Sequence, residues 1–240
     1  NEDGSMARVA ELTKFARKHK LLMITIADLI RYRMRTESMV RRIATSSLPT
    51  THGPFTIHAY ESLIDGDSHV ALVRGDITSG KDVMVRVHSK CLTGDVFHSL
   101  RCDCGLQLDA AMRRIADEGR GVLLYLHQEG RGIGLANKIR AYNLQDAGLD
   151  TLDADQHLGF EPDERTYLAA AAMLCELGVA RIRLHSNNPS KMQALRDSGI
   201  EVVALRTIAG EVNPHNARYI RAKQQRAGHL TPEIEGGKKK

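Results

Sequence analysis

Three of the four cysteines of the chain stand close together, at Cys91, Cys102 and Cys104 of the stretch CLTGDVFHSLRCDCG. Clustered thiols in a chain that keeps them reduced are metal ligands or catalytic groups more often than disulfides. Structural zinc knuckles separate their ligand pairs by about two to four residues, and this spacing of ten residues and then one does not fit them. Three protein ligands without a second pair instead leave one position of a tetrahedral zinc open, which is the arrangement of a catalytic site. The plainer alternative is three buried, unreactive thiols, since free cysteine is among the most buried residue types.

Three further stretches carry groups suited to an anion. QEGRGIGL (128–135) has glycines that let a backbone approach a ligand closely, with Arg131 among them. It is neither the dinucleotide fingerprint nor a P-loop, and by itself it reads equally as a tight turn with a surface arginine. NNPSK (187–191) follows a strand pattern and opens a helix with Lys191 in the first turn. A cation there opposes the helix dipole unless an anion lies between them. EPDERTY (161–167) places Asp163 and Arg165 at a helix start, where capping is the simpler explanation.

Composition narrows the partners. The chain of 240 residues is 42% hydrophobic and 26% charged, with net charge +5 and a pI near 9.1. It has no apolar run long enough to span a bilayer, and residues 1–20 lack the pattern of a signal peptide. The expected location is cytoplasmic, with no membrane partner. The basic balance favours a polyanion. Aromatic residues are only 4% and tryptophan is absent, so a base-stacking nucleic-acid surface is a poor fit. A small anion suits the composition better. GGKKK (236–240) reads as a solvated tail.

The elements that must position these groups follow from periodicity. MARVAELTKFARKH predicts a helix with Val9, Leu12, Phe15 and Ala16 on one side, LLMITI (21–26) a buried strand, and ADLIRYRMR a helix with Asp28 early in it. SSLPTTHGP (46–54) predicts a linker. FTIHAYESLI, HVALVRGDI and DVMVRVHS predict an antiparallel set of strands, the third running into Cys91. Leu108, Ala111, Met112 and Ile115 predict an amphipathic helix over 106–118, stopped at Gly119. Strands at 121–127, in ARIRLHS and in IEVVAL then alternate with helices, including 166–177, whose Cys175 reads as a core residue. The expected fold class is mixed α/β, with antiparallel strands first and alternating strands and helices later.

Together, RVHS before Cys91, CLTGD, SLRCDCG, QEGRGIGL, KIRAYNLQD, DERTY and NNPSK resemble GTP cyclohydrolase II in order and spacing, over roughly residues 47–230. Residues 1–35 resemble the C-terminal end of dihydroxybutanone phosphate synthase, which gives a division into a synthase remnant and linker (1–46), a cyclohydrolase domain (47–230) and a basic tail (231–240). The resemblance implies a homodimer that converts GTP to a diaminopyrimidinone ribosylamine phosphate, formate and pyrophosphate, in the first step of riboflavin biosynthesis. It implies Zn²⁺ on Cys91, Cys102 and Cys104, and Mg²⁺ with the substrate phosphates. Arg86, Val87, His88, Ser89, Lys90, Gln107, Glu129, Gly130, Arg131, Thr151, Ser186 and Lys191 map onto nucleotide-binding positions. Gln107 falls on a guanine contact. Asp163 falls on the proposed proton acceptor, Arg165 on the proposed nucleophile and Tyr142 on an assisting tyrosine.

Four residues depart from the family pattern, among them His127, where an arginine is common, and Ser186, a conservative replacement of threonine. Lys90 stands where glutamate usually precedes the first zinc cysteine, reversing a charge beside the metal. His98, between the first two cysteines, is not a usual family residue and is close enough in sequence to complete a closed Cys₃His site; a surface position on the loop is the expected one. These departures keep a second reading in play, a zinc- and nucleotide-binding paralogue with lost or altered turnover. A nucleic-acid-binding zinc protein is the third, supported by pI alone.

Overall fold

A computed structural model of the chain describes residues 1–230 apart from 27, 30, 31, 34–36, 80, 81, 162 and 209. The basic tail and part of the expected ADLIRYRMR helix therefore lie outside the described residues. Two compact units separate at Glu37/Ser38. No helix among the described residues is long and apolar enough to cross a membrane.

In the first unit, α1 (Val9–His19) forms as expected, with Arg8 N donating to Glu11 Oε2 at 2.9 Å to close its first turn. Its apolar side is exposed, however: Val9, Leu12 and Phe15 all face solvent. The LLMITI stretch is not a buried strand. Among the described residues it pairs with nothing in a sheet, and Leu21, Leu22, Met23 and Ile24 are exposed. An apolar run favours burial but cannot supply the hydrogen-bonding neighbour a strand requires.

The second unit is built on a seven-stranded mixed sheet. Its strands are β1 (Val40–Thr50), β2 (Gly53–Ser62), β3 (Ser68–Arg74), β4 (Val83–Ser89), β5 (Gly121–Leu126), β6 (Arg181–His185) and β7 (Glu201–Arg206), in the order β1-β2-β3-β5-β4-β6-β7. β1, β2, β3 and β5 pair antiparallel, and β5, β4, β6 and β7 pair parallel. Two expectations give way here. Residues 46–54 are not a linker but the tip of the β1–β2 hairpin, with Thr50 opposite Gly53. Pro49 is tolerated because β1 is an edge strand and Pro54 because it lies at the start of β2. β4 is not antiparallel to β3, because β5 lies between them. Its run VMVRVH is buried at every residue, the pattern of a central strand in a parallel sheet covered on both faces.

Helices complete the layers: α2 (Cys104–Glu118), α3 (Gly134–Asp146), α4 (Thr151–His157), α5 (Leu168–Glu176), α6 (Pro189–Asp197) and α7 (Ala217–Arg226). α2 buries Ala111 and Ile115 against Phe55, Leu72, Met84 and Leu123, and ends at Gly119 in the left-handed conformation (φ 72°). α5 buries Ala170, Ala171, Met173 and Leu174, leaving Cys175 exposed rather than in the core. The chain leaves β4 for β5 on one side, then passes back to β6 on the other. That reversal opens a crevice at the carboxyl ends of β4, β5 and β6, the place where open α/β sheets bind ligands.

Candidate active site

At that crevice lies a cleft of about 460 Å³. Every site residue read from the sequence lines it except Val87, which is buried and whose carbonyl accepts from Lys191 Nζ at 2.9 Å. Arg86 and His88 reach it from β4, Glu129, Gly130 and Arg131 from the turn after β5, Ser186 from the turn after β6 and Lys191 from the first turn of α6. Asp163 and Arg165 come from the loop before α5 rather than from a helix start. Four buried polar atoms of the lining, Arg86 Nε, His88 Nδ1, Ser89 Oγ and Gln128 Oε1, have no hydrogen-bond partner. Buried polar atoms are rarely left so unless a ligand or water completes them.

At one end are the three thiols. The chain leaves β4 at Cys91, makes one turn of π-helix (Leu92–Val96), and returns through Cys102 to open α2 at Cys104. Asp95 fixes this turn by accepting from Cys91 N at 2.9 Å, His88 Nε2 at 3.1 Å and Tyr125 Oη at 2.8 Å. The three Sγ atoms lie within 4.8 Å of one another, Cys91 to Cys102 at 3.7 Å. Tetrahedral zinc with thiolate bonds of about 2.3 Å separates its sulfurs by about 3.8 Å, so the group fits the metal. Gly94 keeps the space open: a Cβ there would stand 2.8 Å from Cys102 Sγ and 3.2 Å from Cys91 Sγ. His98 is exposed and stands outside the group.

The electrostatics point the same way. Contacts from Cys102 and Cys104, then the Lys138 ammonium, hold Cys91 far below the usual thiol range. Cys102 is pushed up to about 11: a lowering contact from Cys104 is outweighed by Cys91's contact, burial and Cys91's charge. Contacts with Cys102 and Cys91, then burial, push Cys104 up as well. Thiols so strongly coupled share their protons, and a divalent cation binds such a group by displacing them.

Lys138 was not found from the sequence. Its Nζ donates to Cys91 Sγ at 3.1 Å, Thr93 Oγ1 at 2.9 Å and Glu129 Oε1 at 2.8 Å, and Glu129 also accepts from Leu92 N at 2.8 Å. Its signal was the helical step of four to Tyr142, whose Oη lies 3.2 Å from Thr93 Oγ1. A Lys138→Met variant should fold but bind zinc about 10- to 100-fold more weakly, the range seen when a partner of a metal ligand is removed. A zinc titration against a chelator checks this.

The other end of the cleft is basic. Arg86 is buried, donating to His185 O at 3.1 Å and Gln107 Oε1 at 2.8 Å, and burial pushes it down to about 10. Burial, then repulsion from Arg165 and Arg86, pushes Lys191 well below the usual lysine range. Arg165 grips Asp163 with a fork, Nε to Oδ1 at 2.7 Å and Nη2 to Oδ2 at 2.6 Å. Against burial, that grip holds Asp163 below the usual carboxylate range. Arg131 sits in the left-handed region (φ 59°), after Gly130 at φ 61°, a conformation few non-glycine residues adopt outside functional sites. It donates to Asp155 Oδ2 at 3.0 Å, and burial pushes that carboxyl up to about 6. Thr151, at the start of α4, and Lys90, half-buried, complete the lining.

Comparison with known proteins agrees with this geometry. A family model of GTP cyclohydrolase II matches residues 41–207. The riboflavin biosynthesis protein RibBA of Bacillus subtilis (strain 168) is 52% identical over 231 residues, covering 96% of this chain and 58% of that protein. RibBA of Salinispora tropica gives the same figures, 52% identity with 96% and 58% coverage. The chain thus spans less than two thirds of the length of these relatives. Among solved structures, RibBX from A. baumannii, a two-domain 3,4-dihydroxy-2-butanone 4-phosphate synthase, aligns with a TM-score of 0.50 at 29% identity, over 88% of this chain and 52% of that one.

Proposed function

Because the chain belongs to the GTP cyclohydrolase II family, we propose that its cleft binds GTP with Mg²⁺ and hydrolyses it to a diaminopyrimidinone ribosylamine phosphate, formate and pyrophosphate, as a cytoplasmic homodimer that begins riboflavin synthesis. One observation carries this reading: a single cleft holds three thiols at one end and Arg131, Arg165 and Lys191 at the other. A nucleoside triphosphate has the matching polarity, a base at one end and a polyanion at the other.

Cys91, Cys102 and Cys104 would hold zinc, which supplies Lewis acidity and makes water nucleophilic near neutral pH. The protein groups do the rest. Gln107 is fixed by Arg86 at its carbonyl and by Asp103 at its amide, with Nε2 to Oδ2 at 2.5 Å. One lone pair and one amide proton stay available for a base edge. The Asp163–Arg165 pair faces the phosphates. Raised above its usual range by Asp163 against the effect of burial, Arg165 keeps its proton, and a guanidinium has no free lone pair. It therefore serves as a clamp on the α-phosphate, offsetting charge that develops as pyrophosphate leaves, rather than as a nucleophile. Asp163, a carboxylate at neutral pH, remains an acceptor for a proton from water.

The zinc-loaded protein with GTP and Mg²⁺ should release formate and pyrophosphate in equal amounts. Pyrophosphate alone, or GTP binding with neither product, supports the second reading of a zinc- and nucleotide-binding protein without full turnover. Lys90 favours that second reading, because it lines the cleft next to Cys91 as a cation where the family carries glutamate.

A further inference from the structure

The family match ends at residue 207, but the cleft does not. Its wall continues into α7 and the turn after it, through Tyr219, Ala222, Lys223, Arg226 and His229. This segment is tied down on both sides of the cleft. On one side Arg226 pairs with Asp150 and, at 2.8 Å, with Asp153, while Arg218 Nη2 donates to Gly148 O at 3.1 Å. On the other, Leu230 N donates to Asn187 O at 2.8 Å, in the turn that carries Ser186 and Lys191. The segment is a strap from the start of α4 to the end of β6.

A strap that only covered the cleft would turn an apolar face inward. α7 buries Ala222 alone among its residues and sets Lys223 and Tyr219 against the cleft. The Lys223 ammonium lies over the Tyr219 ring at 4.1 Å, and its nearest carboxylate, Asp103 Oδ1, is 3.6 Å away, beyond hydrogen-bond length. At 18% exposure its side chain is largely withdrawn from water without a close acceptor. Burial, then Lys223, Arg165, Lys191 and Arg131 in that order, push His229 down to about 3. Lys223, Arg165, Lys191, Arg131 and His229 line one cleft, where the crowding of basic groups is relieved by a polyanion.

Resting on the function proposed above, we infer that Lys223 and His229 bind the triphosphate of the nucleotide, and that residues 217–230 form a wall of the substrate site. Lys223 lines the same cleft as Arg165 and Lys191, with its ammonium 3.6 Å from Asp103 Oδ1. An ammonium that exchanges a 3.6 Å carboxylate for a phosphate oxygen gains a charge-assisted hydrogen bond.

The test is calorimetric binding to the full zinc-loaded chain, with Mg²⁺ and three probes: GTP, GMP and inorganic tripolyphosphate. Lys223→Met keeps the stem and removes the charge. It should weaken GTP and tripolyphosphate about tenfold, the scale of a hydrogen bond to a charged group, and shift GMP by less than about twofold. Zinc content and melting temperature should be unchanged, and Lys223→Arg should restore most of the affinity. His229→Gln should weaken the same two ligands about threefold. Equal losses for GTP and GMP would mean that the strap acts only as structure, and that result overturns the inference. So does unchanged GTP affinity, or a wild-type chain that does not bind tripolyphosphate. Because tripolyphosphate carries no base, its loss in Lys223→Met supports the wall even if the chain releases no formate from GTP, an outcome that counts against the proposed function alone.

Discussion

Cys102→Ser should abolish both the metal and ring opening while leaving the phosphate end of the cleft intact. The Cys102 sulfur lies 3.7 Å from Cys91 Sγ, inside a group whose three sulfurs match one tetrahedral ion. A serine hydroxyl at that position is a shorter, harder donor that does not ionise near neutral pH, and two thiols alone do not hold the ion. Zinc should fall from one per chain to a small fraction, and formate release by about a thousandfold or more, roughly 4 kcal/mol of barrier. The melting temperature should also drop, because the ion ties the turn after β4 to the start of α2 and binds only the folded chain. GTP affinity should change little, since Arg165, Lys191 and Arg131 do not touch Cys102. A Cys102→Ser protein with full zinc and normal formate release would remove the catalytic-metal reading and leave three buried thiols.

The parts of this site that were legible in the sequence share a physical reason. Cys91, Cys102 and Cys104 are rare residues at close spacing. Lys191 in the first turn of α6 works against the helix dipole, a local conflict that a ligand resolves. The face of α2 obeyed helical periodicity, and Gly119 stopped it. The sheet was harder to read. β1 is exposed over most of its length, so it carries no alternation to detect, and its Pro49 with Pro54 of β2 reads as a linker. β4 is buried on both faces, and a strand pattern says nothing of which neighbour it takes. Cys175 shares helical spacing with a buried face yet turns outward, because α5 shows the sheet a different arc. Asp95, Lys138 and Lys223 were missed for a different reason. Each acts on a group far away in sequence: Asp95 on Tyr125, Lys138 on Cys91, and Lys223 near Asp103. Those distant partners cannot be read from the residue's own neighbourhood in the chain.

Arg165→Ala should separate the two ends of the cleft. Arg165 makes three donations to Asp163, two through its guanidinium and one through its amide at 3.1 Å, and only the first two are lost in the variant. Zinc content should not change, because the thiol group has no contact with this pair. Pyrophosphate release should fall by about 10³-fold or more, the effect of removing an arginine that stabilises charge in phosphoryl transfer. Arg165→Lys keeps the charge but loses the fork, so it should recover only part of the rate. Asp163, left without its fork, keeps the Arg165 amide and the nearby Arg131 charge but loses its main counterweight to burial, so its carboxyl should rise. A group whose pKa rises this way is ionised only at higher pH, so the acid limb of whatever activity Arg165→Ala retains should move to higher pH than in the wild type. The wild type, with Asp163 held low, should be flat in that limb. If Arg165→Ala instead binds GTP weakly and turns over normally at saturation, the guanidinium contributes equally to ground state and transition state. The clamp on the α-phosphate would then be a binding contact without a part in the departure of pyrophosphate.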